Sequence, residues 1–443
     1  MRLVGIASDP SEGKSGYSFI VRPATVLSGA LLLLAVGNLG RIPQLDLGER
    51  QAPLLINDIC VALVLVVGAV TVSRARSLRF NDVAFAALVF AGIGGVSALA
   101  AVPRFGLSAF ELVASLAYLA RWGMYFALYL IVINCVRDDD AEGIWTAMEG
   151  ALLLIAAFGI VQALFIPDFA FVVYAAARKN LDWDVQGNRL VSTVLDPNIA
   201  GAMIVAVLLV QLARLASGVR VPYWKPALLF AALALTFSRS GLLAFAIGLA
   251  VILFARGLQK ALVRVGGIAL IALLAGLPRL IEEAGRYNKL GFTDESALSR
   301  VVSWQRAIAL FLESPWFGIG FNTYGFVQDH RGIERLSVAS YSPEGGLLFV
   351  AVMTGVAGLG AYLAMLWFAV RRCRQWWHHP LASAEERGLL LGTGATTAAI
   401  LVHTLFVNTL FVPFVMEQLW VLWGLSFVVA TALRRRAIAG VAP

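Results

Sequence analysis

The sequence is dominated by long apolar runs that short polar segments separate. About twelve of these runs approach the roughly 20 residues that an α-helix needs to cross a membrane. They fall at about residues 24–40, 53–73, 82–102, 108–136, 145–166, 198–217, 222–237, 240–256, 261–280, 344–370, 388–410 and 413–433. The runs lack the alternating pattern of a β-barrel, and lipid offers the backbone no other hydrogen-bond partner. We therefore predict an all-α polytopic membrane protein with about 12 transmembrane helices.

The composition excludes several other classes of protein. Apolar residues make up 60% of the 443 residues and charged residues only 14%, whereas a soluble protein has about 25% charged residues. A soluble enzyme and a disordered chain are both excluded. The formal net charge of +8 therefore has to be interpreted together with the topology.

Lysine and arginine concentrate on one side of the predicted bundle. Examples are Arg74, Arg76 and Arg79 after the second run and Arg434–Arg436 after the last. Positive residues near helix ends favour the cytoplasm. We therefore predict an even number of helices with both termini cytoplasmic and treat residues 1–443 as one transmembrane domain. Orientation explains most of the positive charge, and no nucleic-acid partner is needed.

Two long loops lie on the opposite, outer side, at about residues 167–197 and 281–343. Long loops are usually functional or disordered, and the Trp, Tyr, Phe and Arg content here is atypical of disorder. In the second loop, Ser299–Ser314 has four apolar residues on one helical face: Val301, Trp304, Ile308 and Phe311. This spacing predicts an amphipathic helix at the outer surface. A packed cover without chemistry is the alternative.

Two arginines stand near helix ends on the outer side. Arg239 lies in the tight link Thr236–Gly241, and Arg189 lies in Gly187–Asn198 before the sixth span. A guanidinium at the rim of a membrane bundle is costly unless it faces water, an acid or a phosphate, and it binds diphosphate oxygens in a bidentate way. Snorkelling to lipid headgroups is the alternative. Asp196 has a sufficient structural role as the cap of the sixth helix.

A carboxylate stands where the second long loop enters the tenth predicted span. Glu344 lies in Tyr341–Gly346, where it could cap the helix N-terminus or act as a general base toward a hydroxyl. The local sequence favours the cap. Four other polar residues within apolar runs are interpreted as structural pairs or interfacial groups: Arg121, Glu149, His403 and Glu417.

These motifs, in this order and on this side, resemble the O-antigen ligase and O-antigen polymerase superfamily. The resemblance covers about residues 150–430. It rests on Gly187–Asn198, Thr236–Gly241, Ser299-Arg300, Trp304, Pro315–Gly320, Tyr341–Glu344 and Thr354-Gly355.

The resemblance implies an inverting, metal-independent glycosyltransferase of the bacterial inner membrane that needs no cofactor. Its donor would be a glycan on undecaprenyl diphosphate, and its acceptor a saccharide or lipid A-core hydroxyl on the periplasmic side. The large, partly helical loop between helices 9 and 10 would then be periplasmic. Arg189 and Arg239 correspond to the arginines that engage the donor diphosphate in this family. Further candidates for substrate contact are Asn198, Arg300, Arg306 and Tyr341.

One position departs from the family pattern. Ligases of this family usually carry a His-Asn pair where the long loop enters the next helix, and here the corresponding residues are Glu344 and Gly345. This difference favours a polymerase of O-antigen or exopolysaccharide repeat units over a lipid A-core ligase, with Glu344 as the candidate base. A transporter or flippase of lipid-linked glycans and a structural scaffold remain as alternatives from other classes.

Overall fold

The structure is a computed structural model that describes residues 22–42, 54–75, 78–174, 189–258, 295–333 and 342–440. Over these residues the protein is helical, with an isolated β-bridge between Arg41 and Leu55 and no strand. The prediction of an all-α protein is therefore confirmed for this part of the chain.

The helices follow the predicted apolar runs. They are α1 Pro23–Leu32, α2 Ile56–Ala75, α3 Asp82–Phe105, α4 Ala109–Cys135, α5 Ala141–Phe165, α6 Phe169–Tyr174, α7 Pro197–Ala216, α8 Trp224–Leu235, α9 Arg239–Ala255, α10 Glu295–Glu313, α11 Tyr324–His330, α12 Gly346–Trp376, α13 Ala384–His403 and α14 Pro413–Ala439. A 3-10 segment, Leu33–Gly40, extends α1.

Eight helical segments within the described residues are long and apolar enough to cross a membrane. They contain α1, α2, α3, α4, α5, α7, α12 and α14, while α8 and α9 are apolar but shorter. The run at 261–280 lies outside the described residues. The multi-pass architecture is thus supported, whereas the count of about 12 spans and the cytoplasmic termini remain predictions.

Two helices form the interior of the bundle. α7 is buried without interruption from Ile199 to Val210, and α14 is buried along most of its length. Helix α13 packs against α7 and α9, α12 packs against α3, and α14 packs against α4. This packing fixes the relative positions of the N-termini of α7, α9 and α12 and the C-terminus of α13.

Helix α12 is broken at Gly355, whose φ of 67° and ψ of −168° are not helical. The segment Pro315–Gly320 lies against the break. Its backbone pairs with the helix through Ile319 N to Val352 O at 2.9 Å and Val356 N to the carbonyl of Pro315 at 2.8 Å. Backbone groups that the break frees are thereby satisfied inside the protein, as a membrane environment requires.

The predicted amphipathic helix is present as α10, and its most deeply buried residues are not those of the predicted apolar face. Val301 and Ile308 are exposed, whereas Ala307 and Leu310 are buried on the side that packs against α12. Hydrogen bonds to the loop before α12 and the small Ala307 set the inner face. At a membrane surface, lipid can also cover an apolar face, so apolarity alone does not identify the side that packs on protein.

Candidate active site

Arg189 is anchored to the link between α8 and α9. Its Nε donates to the carbonyl oxygen of Thr236 at 2.8 Å, and the next residue, Leu190, donates its N–H to the carbonyl of Leu235 at 2.9 Å. Arg239 is exposed and is the first residue of α9, three positions after Thr236. The segments that carry the two predicted arginines are therefore in direct contact, which the sequence could not establish.

Asn198 joins the same group through the cap of α9. Ser238 caps this helix by accepting from the N–H of Gly241 at 3.1 Å, and its hydroxyl donates to Asn198 Oδ1 at 2.9 Å. Asn198 lies in the first turn of α7. The N-termini of α7 and α9 thus meet beside Arg239, and their helix dipoles add positive potential at this point.

Asp196 caps α7, as predicted. One carboxylate oxygen accepts from the backbone N–H groups of Asn198 at 2.7 Å and Ile199 at 2.9 Å. Burial raises the pKa of Asp196, while these two donors and the positive charge of Arg189 oppose the rise. The carboxylate therefore secures the start of α7 and lies close enough to Arg189 to interact with its charge.

The backbone around the two arginines is strained. Among the described residues, positive φ angles at non-glycine positions occur at four residues: Ser192, Leu195, Phe237 and Asn322. The first two lie between Arg189 and α7, and Phe237 lies in the α8–α9 link. A left-handed conformation costs about 1–2 kcal/mol per residue, and such strain is concentrated at functional sites.

His403 connects α9 to the end of α13. Its Nε2 atom lies 3.2 Å from Ser240 Oγ and its Nδ1 atom 2.6 Å from Thr409 Oγ1. The ring is fully buried. From its sequence context, His403 was predicted only to be a structural or interfacial group. Its position at the outer end of an apolar helix was the available signal that it could belong to the site.

Glu344 lies near the same region, because the start of α12 is bonded to Thr404, the residue that follows His403. The carbonyl of Thr404 accepts from the N–H of Gly346 at 2.6 Å, at the start of α12. Glu344 itself is half-buried. The candidate base is thus linked to the two arginine segments. His403 contacts Ser240, and its neighbour Thr404 is bonded to the start of α12.

The N-cap position of α12 belongs to Gly345, not to Glu344. Gly345 has a φ of 93°, and a Cβ there would lie 2.7 Å from the carbonyl oxygen of Leu405. Only glycine meets both conditions easily. Glu344 therefore does not occupy the N-cap position itself, and it lies one residue before it.

Two side chains of α10 form hydrogen bonds with the backbone N–H and the backbone carbonyl of Glu344. The N–H of Glu344 donates to Ser303 Oγ at 3.1 Å, and Trp304 Nε1 donates to the carbonyl oxygen of Glu344 at 3.0 Å. Asn408 holds the preceding residues, donating from Nδ2 to the carbonyl of Pro343 at 2.7 Å. The sequence pointed to Trp304 only as a motif residue and did not point to Ser303 or Asn408, because their partners are distant in the chain.

The structure describes only part of the remaining predicted contact residues. Arg306 is half-buried in α10 and lies close enough to Tyr324 that its charge opposes the rise in the pKa of Tyr324 caused by burial. Arg300 belongs to α10, but its side chain lies outside the described part of the structure, as does the whole of Tyr341. Their roles stay predictions.

Other intramembrane polar residues form pairs, as predicted. Arg121 bonds both carboxylate oxygens of Asp58 at 2.9 and 2.5 Å. Lys225 lies 2.6 Å from a carboxylate oxygen of Glu149. Glu417 is fully buried and accepts a hydrogen bond from an asparagine of α2. These pairs have a sufficient structural explanation.

His330, the histidine of the long loop, is paired with α4 and is not a second candidate for the general base. His330 Nε2 lies 3.1 Å from Glu111 Oε1, at the start of α4. Within the described ranges, no three His, Cys, Asp or Glu side chains are grouped as ligands of a metal ion.

Comparison with known families identifies part of the chain. Residues 227–363 match a family model described as O-antigen ligase. The matched range runs from α8 into α12 and includes Arg239 and Glu344, while Arg189 and Asn198 precede it. No curated protein matches the sequence. The predicted resemblance to the O-antigen ligase and polymerase superfamily is confirmed over this range.

Proposed function

Because residues 227–363 carry an O-antigen ligase domain, we propose that the protein is a glycosyltransferase that uses a lipid-linked glycan. It transfers the glycan from undecaprenyl diphosphate to a sugar hydroxyl at the periplasmic face of the inner membrane. The observation that carries the proposal is the hydrogen bond from Arg189 Nε to the carbonyl of Thr236. This bond brings two arginine segments together at the end of the bundle that also holds Glu344.

The two arginines suit a diphosphate leaving group. As the bond to the donor breaks, negative charge grows on the diphosphate oxygens, and fixed guanidinium groups stabilise that charge. The N-termini of α7 and α9 beside Arg239 add to the stabilisation. We propose that this arrangement, rather than a metal ion, compensates the charge of the leaving group.

The proposed reaction is a single displacement. The acceptor hydroxyl oxygen attacks the anomeric carbon while the bond from that carbon to the phosphate oxygen breaks. The diphosphate leaves with the bonding electron pair, and the hydroxyl proton passes to the carboxylate of Glu344 as general base. Attack opposite the leaving group inverts the configuration of the anomeric carbon.

We favour a polymerase of O-antigen or exopolysaccharide repeat units. Glu344 stands where ligases of the family usually carry histidine, and that difference is the observation that favours polymerisation. The description of the matched family favours ligation to lipid A-core instead. Deletion of the gene distinguishes the two. Single repeat units still attached to lipid A-core indicate a polymerase, whereas loss of all attachment indicates a ligase.

The substitution Arg239→Lys tests the role of the arginines. Lysine keeps the charge but not the bidentate geometry, so we expect transfer to fall roughly tenfold to 100-fold, the range for loss of a charge-assisted hydrogen bond. Arg220→Lys, at an exposed position between α7 and α8, is the matched control and keeps full activity. Transfer at the wild-type rate by both Arg239→Lys and Arg189→Lys would refute the proposal. Movement of the donor across vesicle membranes without transfer would indicate a flippase.

A further inference from the structure

A cavity of about 270 Å³ lies at the opposite end of the bundle from the candidate active site. It is bounded by the segment before α3, the C-terminus of α4 and the C-terminal part of α14. Its polar lining includes Arg79, Asn134, Arg137, Thr431 and Arg435. A cavity of this size has room for a phosphate group or for several water molecules.

Three arginines line this cavity: Arg79, Arg137 and Arg435. All three are exposed, and the arginine ion pairs within the described ranges involve Arg121, Arg214, Arg331 and Arg436 instead. The lining also contains Asp138, which lies 4.0 Å from Arg436. Arg436 is mainly paired with Glu386, so Asp138 counts as a full negative charge, and the three arginines and one aspartate of the lining leave a formal charge of +2 on the cavity.

The wall that carries Arg79 is fixed to α4. Asn134 Oδ1 accepts from the N–H of Arg79 at 2.5 Å, and Asn134 Nδ2 donates to the carbonyl of Arg79 at 3.1 Å. A second bond from Nδ2 to the carbonyl of Leu130, at 2.8 Å, holds the asparagine on its helix. One wall of the cavity is therefore backbone that hydrogen bonds hold in place, and the cavity does not depend only on long side chains.

We propose that this cavity binds a phosphate group, either the headgroup of an anionic phospholipid or free phosphate. Orientation of the protein requires cations on this face, but it does not require them to surround one cavity. Arginine forks match phosphate oxygens, and basic pockets between transmembrane helices are suited to anionic headgroups. The position at the membrane-surface ends of α4 and α14 suits a lipid of the adjacent leaflet.

Native mass spectrometry of the purified full chain, titrated with dioleoylphosphatidylglycerol, tests the proposal. Each arginine near an anionic surface contributes about a fivefold change in affinity, so the variant R79A/R137A/R435A should bind on the order of 100-fold more weakly. The control R371A/R374A/R434A removes the same charge from exposed positions of this face that do not line the cavity. It should stay within a few-fold of wild type.

Added inorganic phosphate distinguishes the two sources. Displacement of the lipid by inorganic phosphate, or a phosphate-dependent rise in melting temperature that only the cavity variant lacks, indicates a site for free phosphate. Lipid binding that phosphate does not displace indicates a headgroup site. Arg435→Ala alone, with about a fivefold loss, replaces the triple variant if that variant fails to fold. Equal binding by the cavity variant and the control overturns the proposal.

Discussion

His403 Nε2 lies 3.2 Å from the hydroxyl oxygen of Ser240, the residue that follows Arg239. The other ring nitrogen lies 2.6 Å from Thr409 Oγ1, so the buried ring is held between α9 and the link that precedes α14. Arg239 is exposed, but its backbone is fixed by a buried hydrogen-bond chain. The position of this guanidinium therefore depends on the packing of helices and not on a flexible loop.

We expect His403→Phe to weaken transfer about tenfold. Phenylalanine fills the space but removes two hydrogen bonds, each worth about 0.5–1.5 kcal/mol, while the Ser240 and Thr409 hydroxyls keep only their contacts with Ser238 Oγ and the carbonyl of Val407. His403→Gln, which keeps a polar group, should recover part of the activity. Transfer by the purified variants, compared at matched folded protein, measures the effect. Wild-type activity of His403→Phe would show that the chain does not position Arg239.

Glu344→Gln should abolish transfer while the protein remains folded. The amide keeps the size of the side chain but cannot accept the hydroxyl proton, and the backbone bonds to Ser303 and Trp304 are unchanged. Glu344→His should keep part of the activity, because imidazole is also a base. An active Gln variant would exclude the role of general base. Glu313→Gln, in the same outer region, is the control for loss of a carboxylate.

Gly355→Ala should reduce the yield of folded protein severely. The residue has a positive φ, and a Cβ would lie 2.2 Å from the carbonyl carbon of Trp316, so backbone strain of about 1–2 kcal/mol adds to a steric clash. Gly360→Ala is the matched control, since a Cβ at Gly360 meets nothing within 4 Å. Thermal unfolding in detergent measures both. Equal melting temperatures of the two variants would contradict the observed break.

Asp58→Asn should destabilise the protein by about 3–5 kcal/mol, the usual result of leaving one partner of a buried ion pair unpaired. The Asp58 side chain is 5% exposed and that of Arg121 17% exposed. The double variant D58N/R121Q should recover part of the loss.

The surface pair Glu313–Arg331 provides the comparison, with its side chains 45% and 36% exposed. Glu313→Gln should cost no more than about 1 kcal/mol. Thermal unfolding of the four proteins, including wild type, tests both statements. A loss for Asp58→Asn no greater than that for Glu313→Gln would show that the buried pair does not stabilise the fold.

Much of the architecture could be predicted from local sequence. Span-length apolar runs predicted the helices, and the Asp196-Pro197 pair predicted the start of α7, because both signals act within one or two turns of chain. The arginines could be predicted individually from their costly placement at the rim. Their proximity could not, since it depends on the bond between Arg189 and Thr236, 47 residues apart.

The positioning groups around Glu344 were not predictable for a related reason. In the sequence, Ser303 and Trp304 are ordinary residues of an amphipathic helix. Their hydrogen bonds to the backbone of Glu344 depend on the position of α12 beside this helix. The face of α10 that packs on protein could not be predicted from the sequence, because lipid and protein both accept apolar side chains. Gly345 was not predicted as the cap because its role depends on the carbonyl of Leu405, which lies two residues after the end of α13.

The break in α12 has a consequence for how the protein is assembled in the membrane. Backbone groups near Gly355 are paired with Pro315–Gly320, a segment synthesised earlier and exported to the outer side in the proposed topology. Helix α12 therefore cannot complete its hydrogen bonds until that segment has crossed the membrane and returned to it. In the proposed topology, the last backbone hydrogen bonds of α12 form after the loop has been translocated.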